Sequence, residues 1–311
     1  MSASPIWFFL LFYGALAAGL PLRRFGAHAP RVMRANILVV ETPVFVYALW
    51  ALDLAQLERY APVPLGSVGL ILLLGALARA WARRLWPGAP RARGSFVIAS
   101  AFSNIGNTGG MFLCYLLFGT TGLSLASLFL VPYPLLIFTL GFAAARTYAD
   151  GKRPRPVEAL RHLATNRIAV MPLGAMILGL ILNLLGLPLP EGLAGVVDVL
   201  IKINIAVACL AIGATLRPGH LFTPWRPVAA LSALKFVVAP AAALAVALLA
   251  YGGLGPLPAR VLLIQSAMPA AVYSVITATL FGLDRDLANT LWLSTTLLLA
   301  PLALLLFALF G

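Results

Sequence analysis

Apolar residues in this chain arrive in long runs separated by short polar connections. Ten stretches, at 6–21, 36–52, 65–81, 95–118, 121–145, 167–186, 193–216, 227–251, 258–281 and 287–310, are nearly continuous Leu, Val, Ile, Ala and Phe. At ~1.5 Å per residue, runs of this length cross ~30 Å of hydrocarbon as helices. The pattern predicts an all-α polytopic membrane protein of ten transmembrane helices. Composition agrees: of 311 residues, 62% are hydrophobic and 10% charged, too few polar side chains to cover a soluble domain of this size.

The net charge of +13 would suggest nucleic acid on a soluble chain; here its distribution points to topology instead. Loops after the odd-numbered spans carry Arg23, Arg24, Arg31 and Arg34, then Arg79, Arg83, Arg84, Arg91 and Arg93. They continue with Arg146, Lys152, Arg153, Arg155, Arg161 and Arg167, then Arg217, Arg226 and Arg285. These are 18 of the 22 positive residues; the opposite loops hold only Arg59 and Arg260. By the positive-inside rule both termini face outward, and no nucleic-acid partner is expected. The first span lacks a basic leader, so it does not read as a cleaved signal peptide. Cys114 and Cys209 fall within spans, where they read as small buried apolar residues rather than a disulfide framework.

The spans repeat. Spans one to five and six to ten are offset by about 161 to 165 residues throughout, which divides the chain into a first half (1–145), a basic linker (146–166) and a second half (167–311). Five spans per half is an odd number, so the second half inserts upside down. On spacing alone this is a 5+5 inverted-topology repeat, an architecture of secondary transporters.

Two stretches break the apolar pattern at matching places. Span four contains SNIGNTGG (Ser103–Gly110) and span nine QSAMPAAVYS (Gln265–Ser274). Pro269 removes a helical hydrogen bond, and Gly106, Gly109 and Gly110 weaken the helix at the corresponding depth. Both spans are therefore expected to be broken and, in an inverted repeat, to cross. Each break exposes a helix N-terminus with free N–H groups and partial positive charge, which together suit an anion, above all a carboxylate. Asn104, Asn107 and Thr108 on one side, and Gln265, Ser266 and Ser274 on the other, would add side-chain hydrogen bonds. The N–H groups around Gly109, Gly110, Ala270 and Ala271 would supply the electrostatic part. Close helix packing through small residues is the competing explanation, but it does not require two breaks in register.

Few ionisable groups lie inside spans, where each costs at least ~2.5 kcal/mol unless paired or hydrated. Asp198 and Lys202 are four residues apart on one helix and are expected to pair. Glu41 precedes Pro43 and matches Lys202 by the 161-residue offset, so the two are expected to flank the pseudo-twofold axis. Lys235 has no acid on its own helix. It either snorkels to the inner interface or faces a cavity and attracts an anion. Spans three, four, five, eight, nine and ten contain no acid, so a carboxylate-based cation antiporter lacks its proton carrier. His28, His162 and His220 fall in loops and form no metal-ligand spacing. No catalytic constellation assembles at one depth, so neither enzyme activity nor a cofactor is expected.

AFSNIGNTGG followed by LLFGTTGLSLASLF resembles the fourth and fifth spans of the auxin efflux carrier family. QSAMPAAVYSVITATLFGLDRDLANTLWLSTTLL, residues 265–298, looks like its signature near the C-terminus, and VACLAIGATL at 207–216 is similar to the end of its seventh span. The family belongs to the superfamily of bile-acid/sodium symporters. The resemblance implies a scaffold of spans one, two, six and seven that often forms a homodimer. A transport domain of spans three to five and eight to ten would move against it like an elevator. It also implies that Asn107 contacts the substrate carboxylate. In the plant carriers a proline precedes that Asn and Thr; here the run is Gly106-Asn107-Thr108. Lacking the plant carriers' long central insert, the chain looks more like short bacterial members linked to malate or malonate. The expectation is a secondary transporter of a small organic anion in a bacterial inner membrane. The alternatives are a sodium-coupled symporter of the bile-acid type, and a passive channel or sensor.

Overall fold

The computed structural model describes residues 5–151, 167–216 and 222–311. Most of the basic linker lies outside them, as do His162, Arg217 and His220. Among the described residues the chain is helical, without β-strands; one isolated antiparallel bridge pairs Ser103 with Ala270.

Twelve helices position the site. They are α1 (5–19), α2 (29–50), α3 (Pro62–Leu85), α4 (Pro90–Ala101), α5 (Gly110–Leu130), α6 (133–150), α7 (Arg167–Leu184), α8 (Leu193–Thr215), α9 (Trp225–Tyr251), α10 (Leu257–Ser266), α11 (Val272–Leu280) and α12 (Arg285–Phe310). Six helical stretches among the described residues are long and apolar enough to cross a membrane: Pro5–Trp50, Leu54–Leu85, Gly110–Asp150, Leu193–Thr215, Trp225–Tyr251 and Arg285–Phe310. A shorter apolar helix, Val170–Leu184, joins them. The described residues are thus all helical, with several helices long and apolar enough to span a membrane.

Local chemistry sets the ends. Pro62 and Pro90 open α3 and α4, where a missing N–H costs nothing because the first turn has no partner for it. Asp284 caps α12, its carboxylate accepting from the Leu287 N–H at 3.0 Å. Gly119 takes a left-handed φ of 65° within α5 and bends it there. That bend falls between the fourth and fifth apolar runs of the sequence.

Packing sorts the helices into two groups: α1, α2, α7 and α8, and α3–α6 with α9–α12. In the first group, backbones approach closely. A Cβ on Gly213 of α8 would strike the Leu16 carbonyl of α1, and one on Gly179 of α7 would strike the Val46 carbonyl of α2. Small residues at such contacts let membrane helices gain dispersion energy and weak hydrogen bonds where no hydrophobic effect drives association. Asn183 of α7 also donates to the Leu49 and Leu52 carbonyls at 2.9 and 2.6 Å, satisfying the C-terminal end of α2. Polar contacts join the two groups. Tyr13 of α1 donates to the Thr296 carbonyl of α12 at 2.7 Å, and Tyr115 of α5 donates to Asp198 of α8 at 2.6 Å.

Candidate functional site

Helix α4 ends at Ala101 and α5 begins at Gly110; α10 ends at Ser266 and α11 begins at Val272. The non-helical segments 102–109 and 267–271 meet. Asn104 N–H donates to the Pro269 carbonyl at 2.8 Å, and Ala271 N–H donates to the Phe102 carbonyl at 3.0 Å. Each unwound segment thereby supplies the partner that the other's buried backbone needs.

The loop 102–109 is folded on itself. Asn104 Nδ2 donates to the Thr108 carbonyl, and Thr108 Oγ1 donates to Asn104 Oδ1, both at 3.0 Å. Gly110 N–H donates to the Asn104 carbonyl at 3.0 Å. The close approach demands glycine at two places. A Cβ on Gly109 would collide with the Asn104 carbonyl, and one on Gly110 with the Gln265 side chain. Gly106 differs: a Cβ there meets nothing within 4 Å, so this position does not need glycine for space.

The residues expected from the sequence do come together here, with different partners from those expected. The N–H groups expected to face an anion have partners within the protein. Gly109 N–H bonds the Gly106 carbonyl, Gly110 and Ala271 bond as above, and Ala270 N–H reaches Thr295 Oγ1 of α12 at 3.3 Å. At the first turn of α11, Val272 and Tyr273 have no earlier helical residue to bond, and Ala271 before them supplies no side-chain cap. Ser266 and Ser274 turn back onto their own segments, donating to the Leu263 and Ala271 carbonyls at 2.6 and 2.7 Å. Gln265 is fully buried. Its Nε2 makes a long 3.5 Å contact to the Ala126 carbonyl, and its Oε1 has no partner.

Asn107 is 1% exposed; its Nδ2 donates to Glu41 Oε1 at 3.3 Å, and its Oδ1 is unpartnered. Lys235 does not snorkel. It is fully buried and donates to Ser103 Oγ at 2.7 Å. Glu41 and Lys235 share a local device: each sits in a π-helical turn, at Asn36–Glu41 and Leu234–Val238, just before an α-helical segment with proline in its first turn. Pro43 and Pro240 cannot donate to the preceding turn, and the extra residue of a π-turn changes where the side chain points. The signal for both was the rarity of charge inside an apolar run. Sequence reasoning missed Ser103, Thr295 and the Glu41–Asn107 contact as features of the site.

Asp198 and Lys202 pair at 2.6 Å, as their spacing implies, with Tyr115 on the other carboxylate oxygen and Trp7 under the ammonium.

Two cavities adjoin the crossing. One of about 20 Å³, room for a single water, is bounded in part by Ser67, Ser103, Tyr133, Gln265 and Ser266. The other, about 270 Å³, lies between the two helix groups. It runs from Arg285, Asp286, Asn289 and Trp292 of α12, past Thr215 at the end of α8, to Val272 at the start of α11.

No curated protein matches the chain. A family model described as membrane transport protein matches residues 53–306, a region that includes both unwound segments and Lys235. The chain therefore belongs to the membrane transport protein family, that of the auxin efflux carriers, and is an integral membrane transporter.

Proposed function

We propose that the protein is a secondary transporter of a small organic anion, working by alternating access. In this reading its two five-span halves form an inverted repeat, with α4–α5 and α10–α11 as the broken, crossing fourth and ninth spans. The helices α1, α2, α7 and α8 form the scaffold, and the remaining eight form a bundle that moves against it. The observation that carries the proposal is the pair of unwound segments hydrogen-bonded to each other between residues 102–104 and 269–271. Unwound backbone is tolerated at membrane depth only where it is buried in protein or lines a water-filled cavity, and paired breaks of this kind point to a transporter's binding site. Beside them lie the Asn107 amide, the positive start of α11 and a 270 Å³ cavity between the two groups, a setting that favours a carboxylate.

The test is counterflow in proteoliposomes loaded with unlabelled malate, following entry of labelled malate with sodium absent and then present. Accumulation without sodium is expected; a channel would show no counterflow. Asn107→Ala is expected to remain folded and to weaken malate binding by about ten-fold or more, since a hydrogen bond to a charged group contributes about 1.5–3 kcal/mol. Unchanged binding would remove Asn107 from the site.

A sodium-coupled reading draws on the 20 Å³ cavity, where Ser67 Oγ, Tyr133 Oη and Gln265 Oε1 lack partners. Against it stands the Lys235 ammonium, which already holds Ser103 at the edge of that cavity. Accumulation only with sodium would reverse the preference.

A further inference from the structure

The amide that the proposed function assigns to a substrate carboxylate is already in contact with a carboxylate of the protein itself. Glu41 Oε1 accepts from Asn107 Nδ2 at 3.3 Å. An ionised carboxylate only accepts, and the amide nitrogen is the donor, with two N–H groups; Glu41 holds one of them, and a substrate carboxylate on the other would set two like charges against a single nitrogen. Glu41 thus lies against the Asn107 amide, a donor that suits an anion.

The two partners belong to different helix groups. Glu41 ends the π-turn of α2, which packs on α7 and α8; Asn107 lies in the unwound segment that bonds to the α10–α11 break. The contact therefore ties one group to the other. The ion pair seen nearby, Lys202–Asp198, leaves Glu41 out, and among the described residues no cation fixes its carboxylate elsewhere.

We propose that Glu41 is an internal ligand: in the unloaded protein its carboxylate takes the substrate's place on Asn107, holding the two helix groups together until a substrate carboxylate displaces it. This rests on the organic-anion reading above. It yields a consequence opposite to that of an ordinary structural hydrogen bond. Removing a binding residue weakens binding, whereas removing an internal competitor strengthens it. It also frees the unloaded transporter to move.

Two measurements on the full-length protein test this, with wild type, Glu41→Gln, Glu41→Ala and Asn107→Ala compared. The first is equilibrium binding of labelled malate in detergent. Both Glu41 variants are expected to bind several-fold tighter than wild type and Asn107→Ala weaker. Equal or weaker binding by both Glu41 variants, with wild type binding normally, overturns the proposal. The second needs no substrate. In a Gly106→Cys background, where a Cβ meets nothing within 4 Å, a maleimide is expected to label the unloaded protein several-fold faster when Glu41 is also replaced by Ala. Unchanged labelling overturns the latch. Should wild type bind neither malate nor indole-3-acetate, the organic-anion reading fails by itself, and the labelling rate still decides whether Glu41 restrains the unloaded protein.

Discussion

The contrast between Gly109 and Gly106 gives the sharpest test of the crossing's geometry. Both sit in the same polar decade, and composition alone treats them alike. In the structure a Cβ at residue 109 would overlap a main-chain carbonyl, that of Asn104, which cannot rotate away as a side-chain end could. The same carbonyl accepts the Gly110 N–H at 3.0 Å, and the Asn104 side chain is tied to Thr108. Overpacking of this kind costs about 1–3 kcal/mol, and weakening one buried main-chain hydrogen bond about 0.5–1.5 kcal/mol more. We expect Gly109→Ala to lose about 2–4 kcal/mol, a fall of about 5–10 °C in Tm for a chain of this size. Gly106→Ala, with nothing within 4 Å, is expected to stay within about 0.5 kcal/mol of wild type, as substitutions away from such features do. Thermal unfolding in detergent, followed by tryptophan fluorescence, measures both. Equal losses at the two positions would refute the close approach at Gly109, and a stable Gly109→Ala would mean the loop has room it does not show.

Three further outcomes are expected. Lys235→Met keeps the volume while removing a buried ammonium whose one hydrogen bond is to Ser103, so Tm should hold or rise, while counterflow should fall at least ten-fold; unimpaired counterflow would make Lys235 a structural residue. Asp198→Asn leaves the Lys202 ammonium without its carboxylate inside a span, where an unpaired charge costs at least ~2.5 kcal/mol, so thermal stability should fall by about that much; a loss under about 1 kcal/mol would mean that the pair is bathed in water. Gly213→Leu should drive α1 and α8 apart, since even a Cβ there meets the Leu16 carbonyl, and the expected result is loss of monodisperse protein on size exclusion; a well-behaved variant would contradict that contact.

The helical, membrane-embedded architecture was legible because long apolar runs have few solutions in lipid other than helices. The non-helical segments 102–109 and 267–271 fall where Asn, Thr, Gly and a mid-run proline conflict with a continuous helix. What residue types did not reveal was pairing. Nothing local to Asn104 says that its N–H reaches the Pro269 carbonyl, because the two are far apart in sequence and the bond is between backbones. The N–H groups of Ala270 and Ala271 looked free for an anion only because Thr295 and Phe102, their acceptors, belong to other segments. Glu41 was legible as a rare charge, but not its direction, since a π-turn shifts the face on which a side chain emerges. Lys235 shows a related limit. Its distance from the helix end left room to snorkel, yet the turn that holds it points it inward.

The reciprocal bonding of the two unwound segments also constrains how the chain is made. The first segment leaves the ribosome long before the second, and in lipid its Asn104 N–H and Phe102 carbonyl have no water to turn to. Their partners, Pro269 and Ala271, do not yet exist. Until the second half inserts, the first must either remain a continuous helix across this region or keep the stretch near an interface. Either way, the transporter's most specialised piece of backbone is among the last to reach its final form. A chain truncated before residue 269 would leave that segment without the strand it is bonded to.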